Sequence, residues 1–191
     1  MKTRRRFVLV AVLLVSFVPA AAHDPTVEIA RIAELMGLRA GMRVADVGAG
    51  DGEFAEQLAY LVDFGGHVYA NEIDDGELDR IRRRVERSNL SNVTVVEGGD
   101  TTANLPEDCC DGIMLRYVFH HFSEPQAMLD SLHRSLREKG ILVVIEKLEG
   151  GHGISLKDTI EQVGAGGFRL VSEHPEWGEH KDHHAAVFAP R

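Results

Sequence analysis

An apolar run that breaks into alternating glycines, followed at intervals by two acids, carries the most chemical information in this chain. Val44-Ala45-Asp46-Val47-Gly48-Ala49-Gly50-Asp51-Gly52 is a buried-strand pattern running into a glycine-rich turn, with a helical pattern from Glu53. Glycines at 48, 50 and 52 let backbone amides approach a ligand closely at the amino end of that helix. The dinucleotide pattern Gly-x-Gly-x-x-Gly would need glycine at position 53, which holds Glu53, so a pyrophosphate cradle is disfavoured. Glu72 closes the next strand pattern, 20 residues beyond Gly52. A carboxylate on that neighbouring strand can accept hydrogen bonds from ribose hydroxyls. Asp100, in Gly98-Gly99-Asp100-Thr101, follows the third strand pattern and faces the same edge. Taken singly, an acid at a strand end is often only solvated or caps a helix. The ordered series of turn, ribose acceptor and base-facing acid points to a nucleoside-bearing ligand.

A second group follows the fourth strand pattern: Arg116-Tyr117-Val118-Phe119-His120-His121-Phe122. His120 or His121 could act as a general base near neutral pH. The alternative is that one closes the loop and the other packs beside the ligand. Arg116 could orient a carboxylate or answer Asp46 or Asp100. Near the carboxyl end His174, His180, His183 and His184 crowd a short stretch; if a hairpin folds about Gly178, His174 and His183 approach across strands and could coordinate a metal with His180. A polar hairpin tip explains them equally, and no metal site is assigned. Cys109 and Cys110 are the only cysteines and are adjacent, which rules out a disulfide scaffold. They read as small buried hydrophobes, with soft-metal binding as the alternative.

The elements that must position these groups alternate between two periods. Short β-rich runs at 43–47, 67–72, 93–97, 111–117 and 141–146 are separated by amphipathic segments of helical length, the pattern of a parallel sheet. Asp24-Pro25 opens a helix to about Leu38. Ser123 with Gln126 predicts a capping box for a helix ending at Lys139, and Gly140 stops it. Arg80, Arg82, Arg83 and Arg84 form the wet face of a helix that buries Leu78, Ile81 and Val85. Residues 168–173 and 184–188 predict a closing hairpin.

On these residues the chain resembles the class I S-adenosylmethionine-dependent methyltransferases. Asp46-x-Gly48-x-Gly50-x-Gly52 matches the family's first motif, Glu72 its ribose acid, and Gly99-Asp100 its adenine-side acid. Asp111-Gly112-Ile113-Met114-Leu115 is similar to its fourth-strand motif, and Leu136-Arg137-Glu138-Lys139-Gly140-Ile141-Leu142 to the leader into its fifth strand. The likeness extends over about residues 28–188. It implies a doubly wound α/β fold, with a mostly parallel seven-stranded sheet in the order 3-2-1-4-5-7-6, helices on both faces and a closing antiparallel hairpin. It implies S-adenosylmethionine as cofactor, held by Asp46, Gly48, Ala49, Gly50, Gly52, Glu72, Ile73, Asp100, Thr101 and Arg116. His120 and His121 are the candidate catalytic residues. Methyl transfer is an in-line displacement, so positioning and desolvation do most of the work.

The rest of the chain bounds the setting. Residues 1–22 read as a signal peptide or signal anchor: Lys2, Arg4, Arg5 and Arg6, an apolar run from Phe7 to Val18, Pro19, and Ala20-Ala21-Ala22 as cleavage site. The arginines also suit twin-arginine export. Export to the periplasm or beyond is expected, with membrane contact only through an uncleaved leader. The remaining domain, 23–191, has 17 basic against 30 acidic groups, which argues against nucleic acid as partner. Only residues 147–155 separate the fifth strand from the next helix, so no large insertion caps the acceptor, which could be a small molecule or a protein. An exported domain meets little cytosolic cofactor. A noncatalytic binder on the same fold, holding a nucleoside or a metal through the histidine hairpin, is therefore the alternative.

Overall fold

The computed structural model describes residues 25–149, 152–178 and 181–191. The expected leader, and His180 of the histidine-rich stretch, lie outside the described residues. The elements are α1 (Pro25–Met36), β1 (Arg43–Val47), α2 (Glu53–Val62), β2 (His67–Glu72), α3 (Asp75–Arg87), β3 (Val93–Glu97), β4 (Cys110–Arg116), α4 (Pro125–Ser135), β5 (Leu136–Glu149), β6 (His152–Gly153), α5 (Leu156–Ala165), β7 (Phe168–His174) and β8 (His183–Pro190). A 3₁₀ turn, Phe119–His121, lies between β4 and α4.

The sheet runs β3-β2-β1-β4-β5-β8-β7, the order the resemblance implies, with the two-residue β6 added beside β5. The first five strands are mutually parallel; β8 is antiparallel to both β5 and β7. Both faces are covered, and alternation along each strand divides the core. Val47, Leu115, Val144 and Phe188 face α4 and α5, while Met114, Ile145, Val187 and Trp177 lie on the α1 and α2 face. Asp46 sits opposite Met114 in the β1–β4 register, so it too lies on the α1–α2 face.

Three local expectations are corrected. Glu124, not Ser123, is the cap residue of α4, with no side-chain cap bond, because Pro125 supplies the first helical position. The helix also stops at Ser135 rather than Lys139. Leu136 already pairs with Cys110, and the β4–β5 register then jumps to Gly112–Ile141 across an irregularity. Arg137 holds the intervening loop by donating to the Asp108 carbonyl and to Asp111 Oδ1 at 3.1 and 2.7 Å. Cys109 and Cys110 are bonded to each other rather than being two thiols, and both are buried. A bond between chain neighbours closes no loop and so acts as no staple.

Among the described residues no helix is long and apolar enough to cross a membrane.

Candidate active site

The carboxyl ends of β1, β2, β3 and β4 open onto one cleft, lined by residues that include Gly48, Glu72, Ile73, Asp100 and His121. In an open parallel sheet this is where ligands bind, at the point where the strand order reverses. The turn after β1 is held from β2: the Asn71 carbonyl accepts from the Gly48 and Ala49 amides at 3.0 and 2.9 Å. Gly48 has φ of +73°, and a Cβ built there would lie 2.5 Å from Val118 Cγ2. The position therefore requires glycine both for conformation and for the close approach of the loop after β4.

Glu72 clamps the same turn. Its Oε2 accepts from the Gly50 amide at 2.8 Å, and its Oε1 accepts from the amides of Ile73 and Asp74 at 2.8 and 3.3 Å. A carboxylate has about four acceptor sites, so these three bonds leave room for about one ligand hydroxyl. Asn71, which the sequence reading passed over, is buried. Its amide donates to the Ala103 carbonyl at 2.8 Å, tying the loop after β3 to β2. Gly98 abuts that amide, at 2.8 Å from a built Cβ to Nδ2.

Asp46 is 2% exposed and, among the described residues, its Oδ2 has no hydrogen-bond partner. Burial pushes its carboxyl up to about 7; the Glu72 charge adds to this, while Arg116 and the Ala55 amide oppose it. Arg116 lies at the end of β4, its guanidinium within 4.3 Å of the Phe54 ring centroid and 4.4 Å of the Tyr117 ring centroid. Its Nη2 donates to Glu28 Oε2 of α1 at 2.8 Å, and its buried Nε has no partner among the described residues. Arg116 thus answers Glu28 by direct contact rather than Asp46 or Asp100. Glu28 also accepts from the Trp177 indole at 2.8 Å, so one buried carboxylate joins α1, β4 and the β7–β8 connection. Among the described residues the neighbouring strands β1 and β4 thus carry a buried acceptor and a buried donor without a partner, and a ligand bearing both an ammonium and a carboxylate could satisfy them.

The remaining sequence candidates fall unequally. Asp100 lines the cleft with Gly98 and Gly99, but Thr101 is exposed and is not among the lining residues. Its neighbour Thr102 does the structural work: its carbonyl accepts from Gly99 and its hydroxyl lies 3.1 Å from Ser131. Arg84 is not part of a wet face. It donates to the Asp51 carbonyl at 3.0 Å, to Asp51 Oδ2 at 2.6 Å and to Glu56 Oε2 at 2.9 Å, bracing the glycine turn from α3.

The two histidines separate. His121 lines the cleft, its imidazole held below its usual range by partial burial and by the neighbouring His120 and His152. His120 turns toward β5: its Nδ1 lies 2.7 Å from Glu146 Oε2, and its backbone amide donates to Glu146 Oε1 at 3.2 Å. Glu146 is fully buried, and the sequence reading missed it. A carboxylate ending an otherwise apolar strand, Ile141-Leu142-Val143-Val144-Ile145-Glu146, was the available signal.

The histidine hairpin does not take the anticipated form. His174 pairs across the sheet with Ala185 and His183 with Lys147 of β5, so they are not cross-strand neighbours. His183 Nδ1 instead meets the Tyr117 hydroxyl at 2.8 Å. Among the described residues no group of three or more His, Cys, Asp or Glu is arranged to hold a metal.

Comparison with known proteins agrees with this geometry. Residues 45–144 match the family model described as "Methyltransferase domain", and the chain belongs to this family, the S-adenosylmethionine-dependent methyltransferases. The methyl donor of this family is S-adenosylmethionine. The chain is 29% identical over 125 residues to "Ubiquinone/menaquinone biosynthesis C-methyltransferase UbiE" of Shewanella oneidensis, a match covering 65% of this chain and 50% of that relative. The chain thus spans about half the length of the curated relatives it matches. It is similar to a crystal structure of an S-adenosylmethionine-dependent methyltransferase from Aquifex aeolicus, with TM-score 0.78 and 25% identity, covering 86% of this chain and 90% of that one. The fold also matches a TehB-like methyltransferase from Corynebacterium glutamicum at TM-score 0.68 and 21% identity, over 86% and 88% of the two chains.

Proposed function

We propose that the protein transfers a methyl group from S-adenosylmethionine to an acceptor that reaches the open carboxyl edge of the sheet beside His121. The observation that carries this reading is the pair of unmatched buried atoms, Asp46 Oδ2 and Arg116 Nε, set beside a glycine turn that Glu72 clamps. Asp46 would take the ammonium of the cofactor's amino-acid part and Arg116 its carboxylate. Gly48, Ala49, Gly50 and Gly52 would let the backbone approach. Glu72 beside Ile73 would hold a ribose hydroxyl, and Asp100 would face the adenine. Thr101, being exposed, would act at most through its backbone.

When bound, the cofactor supplies a sulfonium methyl group; the acceptor's electron pair makes the new bond to carbon while the old bond's pair stays on sulfur. The chain's contribution is to place the acceptor in line and to exclude water. A hydroxyl or ammonium acceptor also needs its proton removed, a task within reach of the histidines. The family match covers β1 to β5, the half that would bind the donor, so it supports the donor and leaves the acceptor as a small molecule or a group on a protein. The C-methyltransferase relatives make a carbon acceptor one member of that set. The test is a thermal-shift series with S-adenosylhomocysteine, adenosine and NAD. The reading expects the melting temperature to rise most with the first; a larger rise with NAD would replace it by a dinucleotide site.

A further inference from the structure

The outer side of α3 concentrates positive charge on an otherwise acidic domain. Arg80, Arg83, Arg84 and Arg87 stand three, four and seven residues apart, so they share one helix face, and with Asp51 they line a single hollow. Arg82 points elsewhere: it pairs with Asp79 at 2.8 Å and lines a different hollow with Val85 and Leu90. None of the residues around the arginine hollow lines the cofactor cleft. The hollow lies on the outside of the glycine turn, because Asp51 belongs to that turn and Arg84 reaches it from α3.

Two of the four guanidiniums are answered. Arg80 meets Glu77 at 3.0 Å, and Arg84 meets Asp51 at 2.6 Å and Glu56 at 2.9 Å. Arg83 and Arg87 meet no carboxylate among the described residues. Arg87 Nε donates instead to the Arg83 carbonyl at 3.2 Å, which draws its guanidinium back along the helix toward Arg83. Arg80 and Arg87 each stand three or four residues from both Arg83 and Arg84, and like charges at those spacings oppose the helix that holds them. An anion in the hollow relieves that repulsion. Guanidinium forks select oxyanions, since two N–H groups of one fork meet two oxygens. Asp51 is the one acid among the lining residues, and Arg84 already occupies it. A compact ligand with several negative oxygens fits this face. A long nucleic-acid strand would run past it onto a domain with 30 acidic against 17 basic groups.

We propose that this face of α3 is a second binding site, for a phosphate-class oxyanion, with Arg83 and Arg87 as its principal contacts and Arg80 at its rim. A phosphate ester, a diphosphate and a phospholipid headgroup present the same oxygens. The site is independent of the donor-site reading: it shares no residue with the cleft and rests on the charge and spacing of α3.

The experiment is calorimetry of the full chain with inorganic pyrophosphate at pH 7.5 and low salt, without and with saturating S-adenosylhomocysteine. The proposal expects saturable uptake of one pyrophosphate per chain, unchanged by S-adenosylhomocysteine. Arg83→Gln combined with Arg87→Gln should weaken uptake about tenfold or more, whereas Arg82→Gln, on the same helix but outside the hollow, should leave it within about twofold. Glutamine has a good helix propensity, so α3 should persist, which circular dichroism checks. A parallel arm measures flotation with vesicles of phosphatidylcholine and of phosphatidylglycerol. Phosphatidylglycerol binding that is lost in the double variant and kept in Arg82→Gln assigns the oxyanion to a lipid headgroup; pyrophosphate uptake alone assigns it to a soluble phosphate compound. The proposal is overturned if neither arm shows binding that depends on Arg83 and Arg87, if Arg82→Gln weakens uptake equally, or if S-adenosylhomocysteine displaces pyrophosphate. Should the double variant fail to fold, the single variants decide, each expected to weaken uptake more than Arg82→Gln. A chain that takes up pyrophosphate yet no S-adenosylhomocysteine contradicts the donor reading and leaves this site standing.

Discussion

Asp46→Asn should make the ligand-free protein more stable and the cofactor site worse, with opposite pH signatures. In the folded chain the Asp46 carboxyl is raised from 3.8 to about 7, chiefly by burial. Between about pH 4 and pH 7 the folded state therefore keeps a proton that the unfolded state has lost, so stability falls as pH rises through that window. At about 1.4 kcal/mol per pH unit the whole displacement is worth about 4 kcal/mol above pH 7, an upper figure because Arg116 and the Ala55 amide can readjust. The amide of the variant keeps the shape and carries no charge, so it escapes this penalty. Urea unfolding followed by fluorescence of Trp177, the single tryptophan, should show no gain for Asp46→Asn at pH 4 and a gain of about 2–4 kcal/mol at pH 8. Calorimetry at pH 7.5 should meanwhile show S-adenosylhomocysteine bound about 10- to 150-fold more weakly, the loss of about 1.5–3 kcal/mol for a charged hydrogen bond. A stability difference that is flat with pH, or a variant that loses most at pH 8, would refute the reasoning.

Glu72→Ala should weaken S-adenosylhomocysteine binding by about 1.5–3 kcal/mol and also release the Gly50 amide, so hydrogen exchange at Gly50 should speed up in the same variant. Gly48→Ala should lose binding and about 1–3 kcal/mol of stability, because φ is +73° and Val118 stands in the way; adding Val118→Ala should restore only the steric part, as chemical denaturation would report. His184 is buried beside Thr159, and its imidazole is pushed down to about 4 by burial and the His183 charge. It stays neutral in the fold where the unfolded chain protonates. Its own contribution to stability is therefore lost as pH falls from about 6.5 to 4, opposite in sign to that of Asp46, so the advantage of the wild type over His184→Gln in urea midpoint should shrink across that limb.

Much of this site was legible before any coordinates, for a physical reason. A strand that ends in glycines announces a backbone-lined site by composition alone, and Glu72 and Asp100 take their places from strand spacing. Partners distant in sequence were not legible. Glu146 meets His120 only because β5 lies beside β4, and Glu28 meets Arg116 across 88 positions of sequence. Arg84 belongs to a helix that already has an apolar face, and nothing local says that its guanidinium will reach back to the turn at Asp51. The end of α4 was misplaced by a good helical pattern through Lys139. Pairing of Leu136 with Cys110 overrode it, a tertiary contact outweighing local propensity. His174 and His183 do not stand opposite each other because the strands do not fold symmetrically about Gly178: His174 registers with Ala185, and His183 with Lys147 of β5.

We propose that the buried Asp46 and Arg116 groups, together with Glu72, receive S-adenosylmethionine. Isothermal titration calorimetry of the purified protein with S-adenosylhomocysteine tests it most directly. The account predicts saturable binding at one site per chain, weakened in both Asp46→Asn and Glu72→Ala. Folded wild-type protein that takes up no S-adenosylhomocysteine, or binds it equally well in both variants, would contradict it.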